Sequence, residues 1–214
     1  MRPFQHAQAS APITNDWKKD LAVHEFMDST KFACADRRHR VVLHHIDLGA
    51  AIVARAFPHR QDTAKLVEQH VCEDLGHAVS LEDWFDIVDS ARLPSPIHRR
   101  VDSGYGKVAQ YVSGRLSQSA HPEANAVCEF LFSPTTYLSA DPLRALSLMM
   151  NSCGPMIVRK VFGKPRTMPD GKIVDFGWIA EAAIFTAFGR IPDLREIIDC
   201  WDFEPTRKEM ATTK

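Results

Sequence analysis

Apolar residues recur three and four apart along residues 30 to 57, where Phe32, Ala35, Val42, Leu43, Ile46, Ala50, Val53 and Phe57 fall on one stripe of a helical wheel. The spacing predicts one long helix there, with Ser29 as its N-cap and Pro58 closing the far end. A second helix is expected from Thr63 to Leu75, ended by Gly76 in a left-handed conformation. Ser80 opens a third, SLEDWFDIVDSAR, in which Ser80 and Asp83 form a capping box and Leu81, Trp84, Phe85 and Val88 supply the buried side. Residues 93 to 120 mix Pro, Gly and Ser with interrupted periodicity and read as a linker.

The same pattern then returns. Ala35, Asp36, Leu43, Gly49, Ile52, Val53 and Phe57 recur at a constant offset of 105, and HEFMDS at 24 to 29 pairs with CEFLFS at 128 to 133. Further on, Glu68, Gly76, Leu81 and Asp86 recur at an offset of 113. The predicted fold is therefore mainly α: two tandem copies of a three-helix unit forming a helical bundle. Residues 1–92 make the first copy, 93–122 a linker and 123–214 the second copy. Asp141 and Pro142 suit a helix start, and Pro155 after Gly154 should kink or break the second copy's first helix. The extra residues of that copy lie in GKPRTMPDGKIVDFGW, where PDG predicts a turn and a small hairpin.

The copies agree in what folds and differ in what reacts. His39 is matched by Arg144, His44 and His45 by Met149 and Met150, His70 by Ala183, Glu73 by Thr186 and Asp74 by Ala187. His39 falls near the centre of the first stripe, His45 at its edge, and His44 toward the polar side, where a solvated residue is expected. On the second helix His70, Glu73 and Asp74 share one face at i, i+3 and i+4. Unpaired buried carboxylates cost several kcal/mol each, so these groups must be partnered. A divalent metal would do this, since zinc, iron and manganese accept mixed histidine and carboxylate sets. Di-iron bundles use an ExxH pair, whereas the order here is HxxE. Two other readings remain open. In one, Arg37, Arg38, Arg40 or Lys31 neutralises Glu73 and Asp74 while the histidines bond to backbone carbonyls; in the other, the group is a metal-free acid and base pocket.

Composition narrows the partners. The 214 residues carry 26 basic and 27 acidic side chains, a balance that offers no electrostatic footprint for nucleic acid. Five dispersed cysteines without a CxxC pair point to reduced thiols in a cytoplasmic setting. The N-terminal stretch lacks an apolar signal-peptide core, and no run is long enough for a membrane span, so a soluble protein is expected.

The stretches PFQHAQAS, HEFMDSTK, DRRHRVVLHH, EQHVCEDLG and EDW resemble, over residues 3 to 88, an uncharacterised family of small bacterial and phage-encoded proteins, a domain of unknown function. That family's pattern runs as HxxxD followed by SK, then RHR, HH, EQHxxEDLG and DW. His24, Asp28, Lys31, His39, His44, His45, His70, Glu73 and Asp74 occupy its polar positions; Thr30 between Ser29 and Lys31, and the appended second copy, depart from it. The resemblance implies a recurrent site and supplies no reaction.

The leading expectation is a metal-binding helical protein acting as a metal-dependent hydrolase on a small phosphoester or nucleotide-like substrate. Its metal ligands would be His39, His45, His70 and Asp74, its catalytic candidates Glu73, Lys31 and Asp28, and its further candidates His24, His44 and Arg40. Lys31 or Arg40 would hold an anionic group. Non-haem iron redox chemistry is one alternative, and a non-catalytic binding or assembly module with a buried histidine and carboxylate network is another.

Overall fold

The computed structural model describes residues 1–35, 37–86, 114, 121–139, 141–169 and 171–200. These are mainly helical and fall into two compact units, one within residues 1–86 and one within 121–200.

The first unit begins with two helices that apolar periodicity does not announce: α1 (Pro3–Thr14) and α2 (Trp17–Met27). Asn15, at φ 60°, ends α1, and Asp16 caps α2 by accepting the Lys19 amide at 3.3 Å. Their buried positions explain why the pattern was silent. α1 buries His6, Ala7 and Ser10, and α2 buries Asp20 and His24 beside Val23, Phe26 and Met27, so polar residues occupy much of the inward face.

The long helix expected over 30 to 57 does not form. Two short 3₁₀ segments, Asp28–Phe32 and Arg37–Val42, precede α3 (Leu48–Ala56). Ser29 lies inside the first segment and donates its hydroxyl to Phe26 O at 2.6 Å, so it caps no helix. Phe32 is 66% exposed and Ile46 41%, so the continuous stripe read from the spacing does not exist. The break has a physical cause in the bonds that residues 44–47 make elsewhere. Ile46 N–H donates to Val79 O at 2.9 Å, and the Trp84 indole donates to His44 O at 2.7 Å. The Asp47 carboxylate accepts both the Leu48 amide at 2.7 Å and the Leu81 amide at 3.0 Å. Gly49 completes the corner, since a Cβ there would lie 2.2 Å from Leu43 O.

The remaining helices follow expectation. α4 (Thr63–Leu75) ends at Gly76 with φ 85°, and it packs on α1, α2 and α3. α5 (Leu81–Asp86) opens with the expected capping box: Ser80 N–H donates to Asp83 Oδ2 at 2.7 Å, and Asp83 N–H to Ser80 Oγ at 3.1 Å. The rest of the predicted third helix, with Val88, and the predicted linker up to residue 120 apart from residue 114 lie outside the described residues.

The second unit contains α6 (His121–Phe132), α7 (Pro134–Tyr137), α8 (Pro142–Met149), α9 (Gly154–Phe162), α10 (Phe176–Phe188) and α11 (Leu194–Cys200). Asp141 caps α8 through the Arg144 amide at 3.1 Å, and the chain breaks before Pro155 as expected. The predicted hairpin pairs β1 (Arg166–Thr167) with β2 (Ile173–Val174) in antiparallel register, and Gly171 takes φ 80° in its turn.

Several details recur between the units. α4 and α10 are both 13 residues long, and Gly76 and Gly189 end them at φ 85° and 75°. Ser152 Oγ accepts the Leu194 amide at 3.1 Å, at the positions that correspond to Asp47 and Leu81. A Cβ on Gly154 would meet Met149 O at 2.0 Å, as one on Gly49 would meet Leu43 O. Each unit nevertheless has more helical segments than the three expected, because α1 and α2 in one and α6 and α7 in the other precede the predicted first helix, which is itself divided in both.

Candidate metal centre

α2 delivers His24 and, at its C-terminal end, Asp28; α4 delivers His70 and Asp74 at the same i, i+4 spacing. Between them the chain interrupted at residues 43–47 turns His44 inward, with no solvent exposure, where its spacing predicted a solvated side chain. The break in the helix is the reason. With the backbone no longer helical there, the wheel position of His44 loses its meaning.

One nitrogen from each of His44 and His70 and one oxygen from each of Asp28 and Asp74 all lie within 4.8 Å of one another. His44 Nε2 is 3.1 Å from His70 Nε2, 3.3 Å from Asp74 Oδ2 and 3.8 Å from Asp28 Oδ1. His70 Nε2 is 3.6 Å from Asp74 Oδ2 and 3.9 Å from Asp28 Oδ1. Four donors arranged tetrahedrally about a zinc-sized ion with bonds of 2.0–2.1 Å would be separated by about 3.3 Å. Five of the six spacings, 3.1 to 3.9 Å, sit around that value and the sixth is within 4.8 Å, so the group could hold a divalent cation. Both Asp28 oxygens and Asp74 Oδ2 are buried without an aligned hydrogen bond, and His44 Nδ1 is likewise unsatisfied.

Charges around the group are arranged to keep the carboxylates ionised. Lys31 Nζ stands 2.6 Å from Asp28 Oδ1, and Arg40 Nη2 stands 2.9 Å from Asp74 Oδ2. These are close ion pairs, although neither oxygen receives a hydrogen bond of good angle. Burial works against the Asp28 charge, but His39 and Lys31 outweigh it and hold the carboxyl below its usual range. Burial is likewise outweighed at Asp74, where His44, His6, His70 and Arg40 keep the group ionised. The histidines move the other way. Burial pushes His44 down to about 3 and lowers His70, despite the opposing pull of Asp74 on both. His24 is also pushed down to about 3, first by burial and then by neighbouring His70 and His6. Neutral imidazoles beside ionised carboxylates are the protonation states that a metal requires.

The other candidates are distributed around this group. His39 approaches Asp28, with Nε2 3.6 Å from Oδ1, and packs edge-on against His44. His45, expected as a ligand, faces elsewhere: its Nδ1 accepts the Gly49 amide at 2.6 Å, and the ring supports the start of α3. Glu73 holds the ring of His6, with Oε2 2.5 Å from Nδ1, and accepts from Gln69 at 2.8 Å. His24 presents its Nδ1 to the Nδ1 of His70 at 2.9 Å.

Four residues that sequence reasoning did not single out complete the surroundings. The His6 ring stacks on His70 with centroids 4.0 Å apart, and its Nε2 is 3.4 Å from Asp74 Oδ1. Ser10, Asp20 and Arg60 line the far side of His24. The available signal was spacing. His6 and Ser10 stand four apart, and Asp20, His24 and Asp28 repeat every fourth residue, which places each set on one helix face.

Among the described residues no helix is long and apolar enough to cross a membrane, and no disulfide joins any of the five cysteines. No curated protein and no solved structure matches the chain. Residues 1–93, which include the first unit with its buried histidine and aspartate group, match the family model DUF6915, a domain of unknown function.

Proposed function

We propose that the first unit is a metal-binding domain that holds one divalent cation, zinc, iron or manganese, through His44, His70, Asp28 and Asp74. The observation that carries this reading is the convergence of these four side chains from three separate stretches of chain, with several of their donor atoms left unsatisfied. The competing charge-balanced network explains part of the arrangement, since Lys31 and Arg40 do neutralise the two aspartates. It does not explain why His44 and His70 face each other in place of backbone carbonyls. Metal analysis of purified, tag-free protein tests the reading. About one equivalent is expected, and less than about a tenth of an equivalent would reject it.

Hydrolysis of a small phosphoester is a second reading, favoured by the mixed histidine and carboxylate set, because such sets support cations that activate water. Four protein donors make a closed site, so this reading requires one of them to yield a position to water. Asp28 is the member suited to yield, because its partner Lys31 keeps 39% of its side chain exposed and can follow it or take an anionic group. Turnover of a generic aryl phosphate by reconstituted protein, lost in Lys31→Met, would separate this from a purely structural metal. Iron with oxygen-dependent spectral changes would instead favour redox chemistry.

The second unit reads as a copy of the first without the site. Phe132, Met149, Ala183 and Ala187 stand at the positions of Asp28, His44, His70 and Asp74. Its helix lengths, glycine caps and Leu194 tether match the first unit's, which supports duplication followed by loss of the polar set.

A further inference from the structure

The hydrogen bonds around His70 continue beyond the four-member group. From His70 Nδ1 they run to His24 Nδ1 at 2.9 Å, from His24 Nε2 to Ser10 Oγ at 3.4 Å, and from Ser10 Oγ to Asp20 Oδ2 at 2.8 Å. Asp20 is fully buried, and Arg60 donates to its other oxygen at 2.7 Å while also holding Asp62. Thr14 donates to Oδ2 as well. Buried polar chains of this kind must have a consistent direction, because each neutral imidazole has one N–H and one lone pair.

We infer that His24, Ser10 and Asp20 form a positioning chain that sets the tautomer of His70, leaving its Nε2 lone pair free for the cation. The proposal rests on the metal-binding reading above. Its logic follows the protons. Asp20, whose other oxygen accepts from Arg60, accepts the Ser10 hydrogen, so Ser10 Oγ is left to accept from His24 Nε2. His24 then has its lone pair on Nδ1, which can only accept from His70. With its proton on Nδ1, His70 turns a bare Nε2 toward His44, Asp28 and Asp74. Groups that fix a ligand histidine in this way orient the ring and raise its basicity.

The alternative acceptor for Ser10 is Ala7 O at 2.8 Å, which gives the same direction, since the hydroxyl hydrogen is again used away from His24. The reverse direction would place a proton on His70 Nε2, aimed at the Nε2 of His44, and would take the Ser10 hydrogen from a buried anion. A second observation agrees. The second unit has Cys128 and Ala124 at the positions of His24 and Asp20, so the chain and the ligands are missing together.

The test uses the full chain with zinc and cobalt(II) as probes. Asp20→Asn and Ser10→Ala should each weaken zinc binding about tenfold or more, at unchanged stoichiometry and with the visible cobalt(II) spectrum retained. Asp20→Glu should recover part of the loss. Long-range proton–nitrogen spectra of the metal-free wild type should show the His70 proton on Nδ1, a readout that a merely structural role for Asp20 would not move. Affinities within twofold of wild type in both variants, or a His70 proton on Nε2, would overturn the chain. If wild type itself takes up no metal, the metal-binding reading fails and the proposal with it. If Asp20→Asn fails to fold, Ser10→Ala and the wild-type tautomer still decide.

Discussion

His44 and His70 turn their Nε2 atoms toward each other at 3.1 Å, from a loop and a helix 26 residues apart in the chain. Two neutral rings can share one proton across that distance, which leaves Asp28 and Asp74 beside them to their ion pairs with Lys31 and Arg40. A cation between the four, as proposed, would engage all of them, and this sets the first expectation. Metal at 100 times its dissociation constant adds about 2.7 kcal/mol to stability, or about 5 to 10 °C in the unfolding midpoint of a chain this long. Thermal melts with and without chelator should differ by that amount in wild type and coincide in His44→Ala and Asp74→Asn. Equal shifts in wild type and variants would point to binding elsewhere.

His45 provides the contrasting case. Its Nδ1 accepts the Gly49 amide, so His45→Leu keeps most of the volume and removes only the acceptor. The expected result is a loss of about 1 to 3 kcal/mol in denaturant unfolding, with one equivalent of metal still bound. Loss of metal by a folded His45→Leu protein would restore His45 as a ligand.

Metal-free protein should lose stability on acidification in a defined window. His24 and His44 are held neutral, each at about 3 compared with an ordinary 6.5. As pH falls below 6.5 the unfolded chain takes up protons that the folded chain refuses, so stability falls with pH until about 3. Each ring contributes at most about 1.4 kcal/mol per pH unit. Asp28 and Asp74 are displaced below their usual range, so their contribution is lost only at lower pH, beneath the ordinary carboxylate value. Urea midpoints in chelator should therefore drop between about pH 7 and pH 5, and less so in His24→Gln. A flat profile over that range would show that these rings are not buried as described.

Gly49 and Gly154 make a matched pair of substitutions. An added Cβ would stand 2.2 Å from Leu43 O in one unit and 2.0 Å from Met149 O in the other, and in both the obstacle is backbone. Gly49→Ala and Gly154→Ala should each cost about 1 to 3 kcal/mol or more, and only Gly49→Ala should also weaken metal binding, because it displaces the corner that carries His44. Neutral behaviour at either position would mean that the corner is looser than its geometry.

Much of the helical frame was legible in the sequence. The range of α4, the left-handed Gly76, the Ser80 and Asp83 box and the hairpin at Gly171 all depend on local chemistry: caps, turn residues and period. The polar face of α4 was legible too, because His70 and Asp74 are one turn apart on a regular helix. α1 and α2 were not, since His6 and Ser10 take most of the buried face of α1, and Asp20 and His24 interrupt the short apolar set of Val23, Phe26 and Met27 in α2.

The sequence by itself determined which residues could react and which turns they must share, because hydrogen-bonding caps and i, i+4 neighbours are settled within a few residues of chain. Only the tertiary structure decided that His44 and not His45 joins the group. That choice follows from the corner at 44–47, which exists because Ile46, Asp47 and the His44 carbonyl bond to Val79, Leu81 and Trp84 more than 30 residues away. Periodicity assumes that a helix continues. Long-range hydrogen bonds to the chain entering α5 stop this one, and that interruption is what turns His44 inward.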